Sequence, residues 1–351
     1  MELLYSQDTQ VKLLNQLTVI IFSRERHKEL VKCLKYWENL GVRCMVLDNS
    51  SIALKNSSQN LDSVYFHCAG LNLAERSLIA SENISTKYSI ICPDDERFLP
   101  ESLSSMISLL ENENELNSVG ANAIAISKYG PIITATSVYS QMRNYKNLGA
   151  NLNNRIETHF FPENSEWKIA SMYRVIRSST MRRLLELFSQ LTKVSTPYIF
   201  EITSEIFLTI DGKVKYLDVI YWIRNWENPA INKPDWDRKL GFSFWWKEDS
   251  FRSEKNSWVQ SILNEFKSQI EKDKLVDLVN TIAVKRKNIE IYSEIKKPFL
   301  SDKYFKYALK RLILAKSTPL KINQVLTRIK DQGIDYNLTE VNFAVNSMLS
   351  K

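Results

Sequence analysis

At 351 residues the chain is too long for one small core, and one large α/β unit with a smaller appendage is the expectation. Hydrophobic residues make up 44% and charged residues 25%, ordinary values for a folded soluble chain, while 8 Gly and 9 Pro exclude long flexible linkers and low-complexity tracts. A net charge of +7 suits an anionic partner, whether nucleotide, membrane face or nucleic acid, without choosing among them.

In chain order, the β-branched run at residues 17–22 reads as a buried strand that stops at Ser23-Arg24-Glu25-Arg26-His27. A helix follows, with Leu30, Leu34, Trp37 and Leu40 on one face and Gly41 closing it. Residues 44–47 form a second strand ending in the polar turn Asp48-Asn49-Ser50-Ser51, and residues 64–68 a third. Residues 73–81 read as a helix carrying Glu75 and Arg76. A short strand from Tyr88 then runs into Cys92-Pro93-Asp94-Asp95-Glu96, and Pro100 opens a helix with Leu103, Met106, Ile107 and Leu110 inward. Residues 119–126 are a further strand, Lys128-Tyr129-Gly130-Pro131 a turn, and residues 132–135 its hairpin return. Residues 137–170 show no clear period and read as loops. A strand at 173–177, a helix capped by Ser179, a helix at 202–210 after Pro197 and Glu201, and a long strand at 214–223 complete this part. Beyond Arg224 comes an aromatic segment with Trp226, Trp236, Phe242, Phe244, Trp245 and Trp246, broken by Pro229 and Pro234. From about residue 250 the pattern is helical, with Trp258, Ile262, Phe266 and Ile270 at helical spacing and a basic helix at 304–315.

Strands alternating with helices imply βαβ units and a mostly parallel sheet flanked by helices. In such open sheets ligands bind beyond the carboxyl ends of the strands. The clusters at 23–26, 48–51 and 94–96 all follow strand ends, so they are expected to share one edge. Three adjacent carboxylates at a strand end repel one another and need a cation. A divalent metal carrying a diphosphate is one solution, and a solvated acidic turn at a helix N-terminus is the other.

No apolar run is long enough to cross a bilayer, and the opening residues mix Glu2, Asp8 and Lys12 among apolar ones, unlike a secretory signal. Four cysteines without a C-x-x-C pair read as reduced, buried thiols of a cytoplasmic protein. Three histidines without ligand spacing argue against a zinc site. No nucleic-acid-binding pattern accompanies the positive charge.

With these motifs in this order the chain resembles the bacterial glycosyltransferases of the GT-A fold, family-2-like, with an acidic triplet of the DDD type. The matching stretches are residues 18–22 with Ser23-Arg24-Glu25-Arg26, Val46-Leu47-Asp48-Asn49-Ser50-Ser51, and Cys92-Pro93-Asp94-Asp95-Glu96-Arg97-Phe98-Leu99-Pro100 running on to Leu103. Residues 212–218, running into 221–224, complete the set. The resemblance spans about residues 17–226 and implies a GT-A-like domain, placed over 1–248; it does not cover the C-terminal third, where the helical pattern marks a C-terminal domain over 249–351.

It implies sugar transfer from a nucleotide-sugar donor to an acceptor hydroxyl of a saccharide or lipid-linked acceptor, in bacterial surface polysaccharide or glycoconjugate synthesis. Asp95 matches the second acid of the family's D-x-D. Pro93 stands where the first acid is usual, so Asp94 substitutes, and Asp94, Asp95 and Glu96 would hold Mg²⁺ or Mn²⁺. Asp48 matches the acid that contacts the nucleoside. Ser23, Arg24 and Arg26 match the turn beside it, Arg76 the basic residue near the phosphates, and Arg224 a group able to neutralise them. The downstream His ligand common in metal-dependent members is missing, so that either Glu227 or Asn225 replaces it, or Arg224 neutralises the phosphates directly, or the protein uses metal weakly. Glu201, in the first turn of a helix, matches the base of an inverting transfer, with Glu205 one turn on as competitor. The tryptophans after Arg224 are assigned mainly to packing. The basic C-terminal helices offer a peripheral contact with the inner face of a membrane, or are a solvated face. A non-catalytic nucleotide- or saccharide-binding module and a nucleotidyltransferase are the alternatives, and the oligomeric state is left open.

Overall fold

The computed structural model describes residues 7–55, 63–129, 132–138, 145–161, 171–226, 241–295 and 320–349. In chain order they form α1 (Gln7–Leu14), β1 (Leu17–Ser23), α2 (His27–Glu38), β2 (Arg43–Asp48), β3 (Val64–His67), α3 (Leu73–Asn83), β4 (Tyr88–Ile91), β5 (Arg97–Phe98), α4 (Pro100–Asn112), β6 (Leu116–Tyr129), β7 (Ile132–Val138) and β8 (Lys146–Asn147). Then follow α5 (Leu152–Phe160), β9 (Val175–Arg177), α6 (Ser178–Ser189), α7 (Tyr198–Asp211), β10 (Lys213–Asn225), α8 (Phe242–Lys247), α9 (Arg252–Glu265), α10 (Lys272–Ile295), β11 (Leu320–Lys321), α11 (Ile322–Asp331) and α12 (Leu338–Leu349).

The centre of the sheet is parallel, in the order β3-β2-β1-β4. Beyond β4 it continues through β9, β6, β7 and β11 by antiparallel pairings, while β10 runs parallel to β6 and carries β5 and β8. β1 shows why its sequence is a continuous apolar run. Val19 and Ile21 enter the core on one face and Ile20 the core on the other, all at 0% exposure. Each such side chain contributes about 1.5–3 kcal/mol relative to an exposed one.

One face is covered by α1, α2, α4, α11 and α12, the other by α3 and α6 to α10. α2 lays Leu30, Cys33, Leu34 and Trp37 on the sheet and is closed by Gly41 at φ 64°, a left-handed position that a side chain would strain. All four cysteines are buried and free. No helix among the described residues is long and apolar enough to cross a membrane.

Some local expectations change. Within 137–170, expected as loops, β7 runs on to Val138 and β8 and α5 follow; the stripe Leu152, Ile156, Phe160 is short and flanked by polar residues. Ser179 lies inside α6 rather than capping it, and the N-cap position, Arg177, makes no side-chain cap. Phe266 and Ile270 reach the core from the turn after α9, not from the helix. The expected basic helix at 304–315, and Gly130, Pro131, Glu227, Pro229, Pro234 and Trp236, lie outside the described residues.

The C-terminal helices do not share one core. α8 to α10 join the core on the α3/α6/α7 face, with helices from both sides of the 248/249 boundary packed together. β11 instead extends the sheet by pairing with β7, and α11 and α12 enter the opposite core, α12 against α2. Backbone bonds fix this return: Asp335 N donates to Asp218 O (2.8 Å) and Ile220 N to Asp335 O (2.9 Å).

Glu340 of α12 caps the N-terminus of α4, and side chains tie the two helix starts together. Glu101 N donates to both oxygens of Glu340 (3.0 and 3.1 Å), while Asn337 Nδ2 donates to Glu101 Oε2 (2.7 Å). Burial drives the Glu340 carboxyl up from 4.5 to about 7, the Glu101 N–H opposing it and the Glu101 charge adding to it. A raised carboxyl costs stability as pH climbs from 4.5 to 7, because the unfolded chain loses its proton first. Glu340→Gln keeps the acceptor and removes the charge. Urea denaturation should find the variant about 1–3 kcal/mol more stable than the parent at pH 8, with the difference gone at pH 4.5.

Candidate functional site

After β4 the chain turns through residues 92–96 into β5, which pairs antiparallel with β10. Phe98 lies opposite Trp222 and Arg97 opposite Ile223, so one further step in the register brings Glu96 beside Arg224. Glu96 accepts from Trp222 Nε1 (2.6 Å) and from Arg224 Nε (3.1 Å), and the Arg224 guanidinium lies 4.7 Å over the Trp222 ring. Asp94 accepts from Ser23 Oγ (2.8 Å) and pairs with Arg26 Nη1 (3.1 Å). Asp95 pairs with Arg26 Nη2 (2.8 Å). Beneath the turn, wholly buried Arg97 donates to the Glu96 carbonyl (2.7 Å) and, through Nε, to Ser347 Oγ of α12 (3.1 Å).

All three acids are nearly buried, at 3%, 8% and 4% exposure for Asp94, Asp95 and Glu96. Burial pushes the Asp94 carboxyl up to about 6 and Glu96 to about 7, against the pull of Arg26 on the first and Arg224 on the second. Burial works against the charge of Arg26 too, and Asp94 and Asp95 overcome it and hold the guanidinium above its ordinary value.

The expected metal set of Asp94, Asp95 and Glu96 is not assembled. Arg26 spans the first two acids, and the β5–β10 register turns Glu96 to Trp222 and Arg224. Among the described residues no group of three or more His, Cys, Asp or Glu gathers as a metal-holding set. The cation that three adjacent carboxylates need is supplied by arginine side chains.

Ser23 and Asp48 are register partners at the ends of β1 and β2. Asp48 sits at the expected edge, but its carboxylate is filled from within the chain. Oδ1 accepts from Ser50 N (3.0 Å) and Ser50 Oγ, and Oδ2 from Tyr65 OH (2.7 Å), with His27 Nε2 at 2.9 Å. A carboxylate has about four lone-pair sites, so Asp48 is saturated. Burial would raise it, yet the bonds from Ser50, Tyr65 and His27 win and hold it below its ordinary value. Arg76 is likewise turned inward: Nη1 donates to the carbonyls of Ser23 (3.2 Å) and Leu47 (3.1 Å), tying the ends of β1 and β2 together over the Phe22 ring.

Beside this edge lies an open cleft of about 710 Å³. Its walls are Arg24 and Glu25, Asn49 and Ser51, residues 70–72 before α3, residues 192–195 before α7, and Glu254 of α9. The turn after β1 therefore divides its residues, Arg24 and Glu25 to the cleft and Ser23 and Arg26 to the acids. Glu25 makes this possible with a left-handed backbone, φ 51°. The turn is held by Glu25 N donating to Ser50 Oγ (2.7 Å) and Ser51 N donating to the Glu25 carboxylate (2.7 Å). Glu254 secures the far wall by accepting from Ser195 N and Oγ (both 2.7 Å) and from Trp245 Nε1 (2.9 Å). Trp245 and Trp258 are buried packing residues, as the sequence suggested for most of the tryptophans. A second groove of about 600 Å³, between α2 and α12, is lined by Lys28, Lys32 and Lys35 and contains none of the expected site residues.

Glu201 lies in the first turn of α7 and is half-buried. Glu205, its competitor, is fully buried and committed: His159 Nε2 lies 2.6 Å from it, and Ser171 donates through N (2.8 Å) and Oγ. Burial would raise Glu205, but His159, Arg174 and Ser171 hold it below its ordinary value. Trp222, Tyr65 and His27 were not singled out as site residues from the sequence. Trp222 had a signal, since it stands two residues before Arg224 on a strand and so shares its face; Tyr65 and His27 had none.

No family model matches this chain, and no curated protein matches it. Among solved structures, residues 1–349 of S. aureus TarS resemble it at TM-score 0.48 and 9% identity, over 84% of this chain and 78% of that one. The same fragment in complex with UDP-GlcNAc gives 0.49 and 10%, over 84% and 79%. A CMP:2-keto-3-deoxy-manno-octonic acid synthetase complexed with CTP gives 0.32 and 11%, over 62% and 93%. At these scores the fold stands on its own strand order.

Trp222→Phe removes the indole donor from a buried carboxyl that ionises near 7. A charge-assisted bond is lost above that pH and a neutral one below it. Denaturation should show a loss of about 1–3 kcal/mol, larger at pH 8 than at pH 5.5.

Proposed function

We propose that this chain is a glycosyltransferase that moves a sugar from a nucleotide-sugar donor to an acceptor hydroxyl. One observation supports it above the rest: the turns after β1, β2 and β4 meet on one edge of the parallel sheet, and the β1 turn links an open cleft to the acidic cluster. Ligands of open parallel sheets bind at this edge.

In this reading the nucleoside occupies the cleft, against Arg24, Asn49, Ser51 and the chain before α3. Asp48 acts from behind, holding Ser50 and so the shape of the β2 turn, rather than by direct contact. Arg76 does the same for the strand ends. The diphosphate lies toward Arg26 and Arg224, with Asp95 beside the sugar. Glu201 takes the proton as the acceptor oxygen attacks the anomeric carbon. The new C–O bond forms as the bond to the phosphate oxygen breaks, the electron pair leaves with the nucleoside diphosphate, and a single displacement inverts the centre. No step is assigned to Mg²⁺ or Mn²⁺, because Arg26 spans Asp94 and Asp95. The positive net charge and the reduced thiols fit a cytoplasmic protein whose saccharide or lipid-linked acceptor is presented at the inner membrane face, in surface polysaccharide or glycoconjugate synthesis.

A thermal-shift screen with UDP, GDP, CMP and dTDP should raise the melting temperature with at least one, through mass action. The matching nucleotide sugar, given with an acceptor panel, should then release nucleotide. Asp95→Asn and Glu201→Gln should each lower turnover by about 100-fold or more while the fold survives. Binding without release across the panel would leave a non-catalytic binding module on the same fold, and no shift with any nucleotide would remove the reading altogether.

A further inference from the structure

We propose that Arg26 takes the place of a divalent cation in this site, receiving the donor's diphosphate on a guanidinium held between Asp94 and Asp95, so that nucleotide binding needs no metal. This rests on the nucleotide-sugar reading above and names the group that meets the phosphates.

Arg26 pairs with Asp94 and Asp95 and Arg224 with Glu96, while Arg97, bonded to the backbone carbonyls of the same turn, adds a further positive charge acting on Asp94. A divalent ion is drawn to a site with uncompensated negative charge, and this cluster has little to offer one. An ion entering between Asp94 and Asp95 would have to expel Arg26 or sit against it, since both guanidinium end nitrogens already stand at 3.1 and 2.8 Å from those oxygens. Mg²⁺ also demands near-octahedral oxygens at about 2.0–2.1 Å. The third acid is withdrawn from any such set by Trp222 and Arg224.

Guanidinium has five donors in a planar fork suited to phosphate oxygens, and its two contacts with the acids leave others for an anion. The Arg26 side chain is 20% exposed, while its Nη2, the atom beside Asp95, is buried. It stands two residues from Arg24, which lines the cleft, so a nucleoside in the cleft would lead its phosphates along this turn. Its backbone is fixed as the N-cap position of α2, where its carbonyl accepts from Glu29 N (3.0 Å) and Leu30 N (2.9 Å). The acids thus orient a cation in advance, the task they would otherwise perform for a metal.

Isothermal titration of the full chain with UDP, GDP and dTDP, in excess EDTA and in Mn²⁺, tests this, with Mn²⁺ binding followed by its electron paramagnetic resonance signal. The wild-type protein should bind the responding nucleotide with affinities within about twofold in the two buffers and should take up no Mn²⁺ alone. Arg26→Gln should lose about tenfold or more in EDTA, and should gain both Mn²⁺ uptake and Mn²⁺-restored binding, because Asp94 and Asp95 are then unbalanced. Arg26→Lys, which keeps the charge but not the fork, should fall between them, and it carries the comparison if the Gln variant fails to fold. Wild-type binding that weakens tenfold or more in EDTA and returns with Mn²⁺ overturns the inference and leaves the nucleotide-sugar reading standing. Unchanged binding by Arg26→Gln in EDTA also overturns it. Absence of nucleotide binding in both buffers overturns inference and reading together.

Discussion

Three consecutive carboxylates are held out of water at the end of β4, and the arrangement around them follows from the need to compensate that charge. The compensating groups come from distant parts of the chain. Arg26 arrives with the turn after β1, and Arg224 and Trp222 with β10. Arg97 lies beneath and reaches Ser347 of the last helix. Removing any one partner of such a buried set strands a charge, which costs far more than an exposed ion pair contributes. The pairing of β5 with β10 and the return of α12 to the sheet are thus parts of one electrostatic solution as well as of the core.

The turn after β1 connects this solution to the cleft. A left-handed residue, Glu25, is tolerated there because both its amide and its carboxylate are bonded to the β2 turn. The β2 turn is in turn shaped by Asp48, whose four bonds leave it no capacity for a ligand. Acids at this edge therefore do two kinds of work. Asp48 fixes backbone, while Asp94 and Asp95 fix a cation.

The buried carboxyls divide in the same way. Glu205 has a histidine, a serine hydroxyl and an amide directed at it and is held below its ordinary value in spite of full burial. Glu96, equally enclosed, has one indole N–H and one arginine, and burial prevails. The number and charge of the donors decide the sign, not depth alone. Glu205 accordingly belongs to the support of α7, leaving the base role proposed for that helix to Glu201 in its first turn.

The amino-acid sequence by itself determined most strands and helices of the first half, α1, β5 and β8 excepted, because doubly buried strands read as continuous apolar runs and one-sided helices leave a period of 3.6. It also determined that the polar clusters at 23–26, 48–51 and 94–96 follow strand ends, and so lie on one edge. α5 escaped because its apolar stripe is only two turns long. Only the tertiary structure decided what each acid touches. Glu96 meets Arg224 and Trp222 through a strand register set 126 residues away, Asp48 is closed by Tyr65 from a neighbouring strand, and Arg26 stands where a metal was expected. Periodicity is a local property of a chain, whereas the partner of a charge depends on which distant strands lie side by side and in what register.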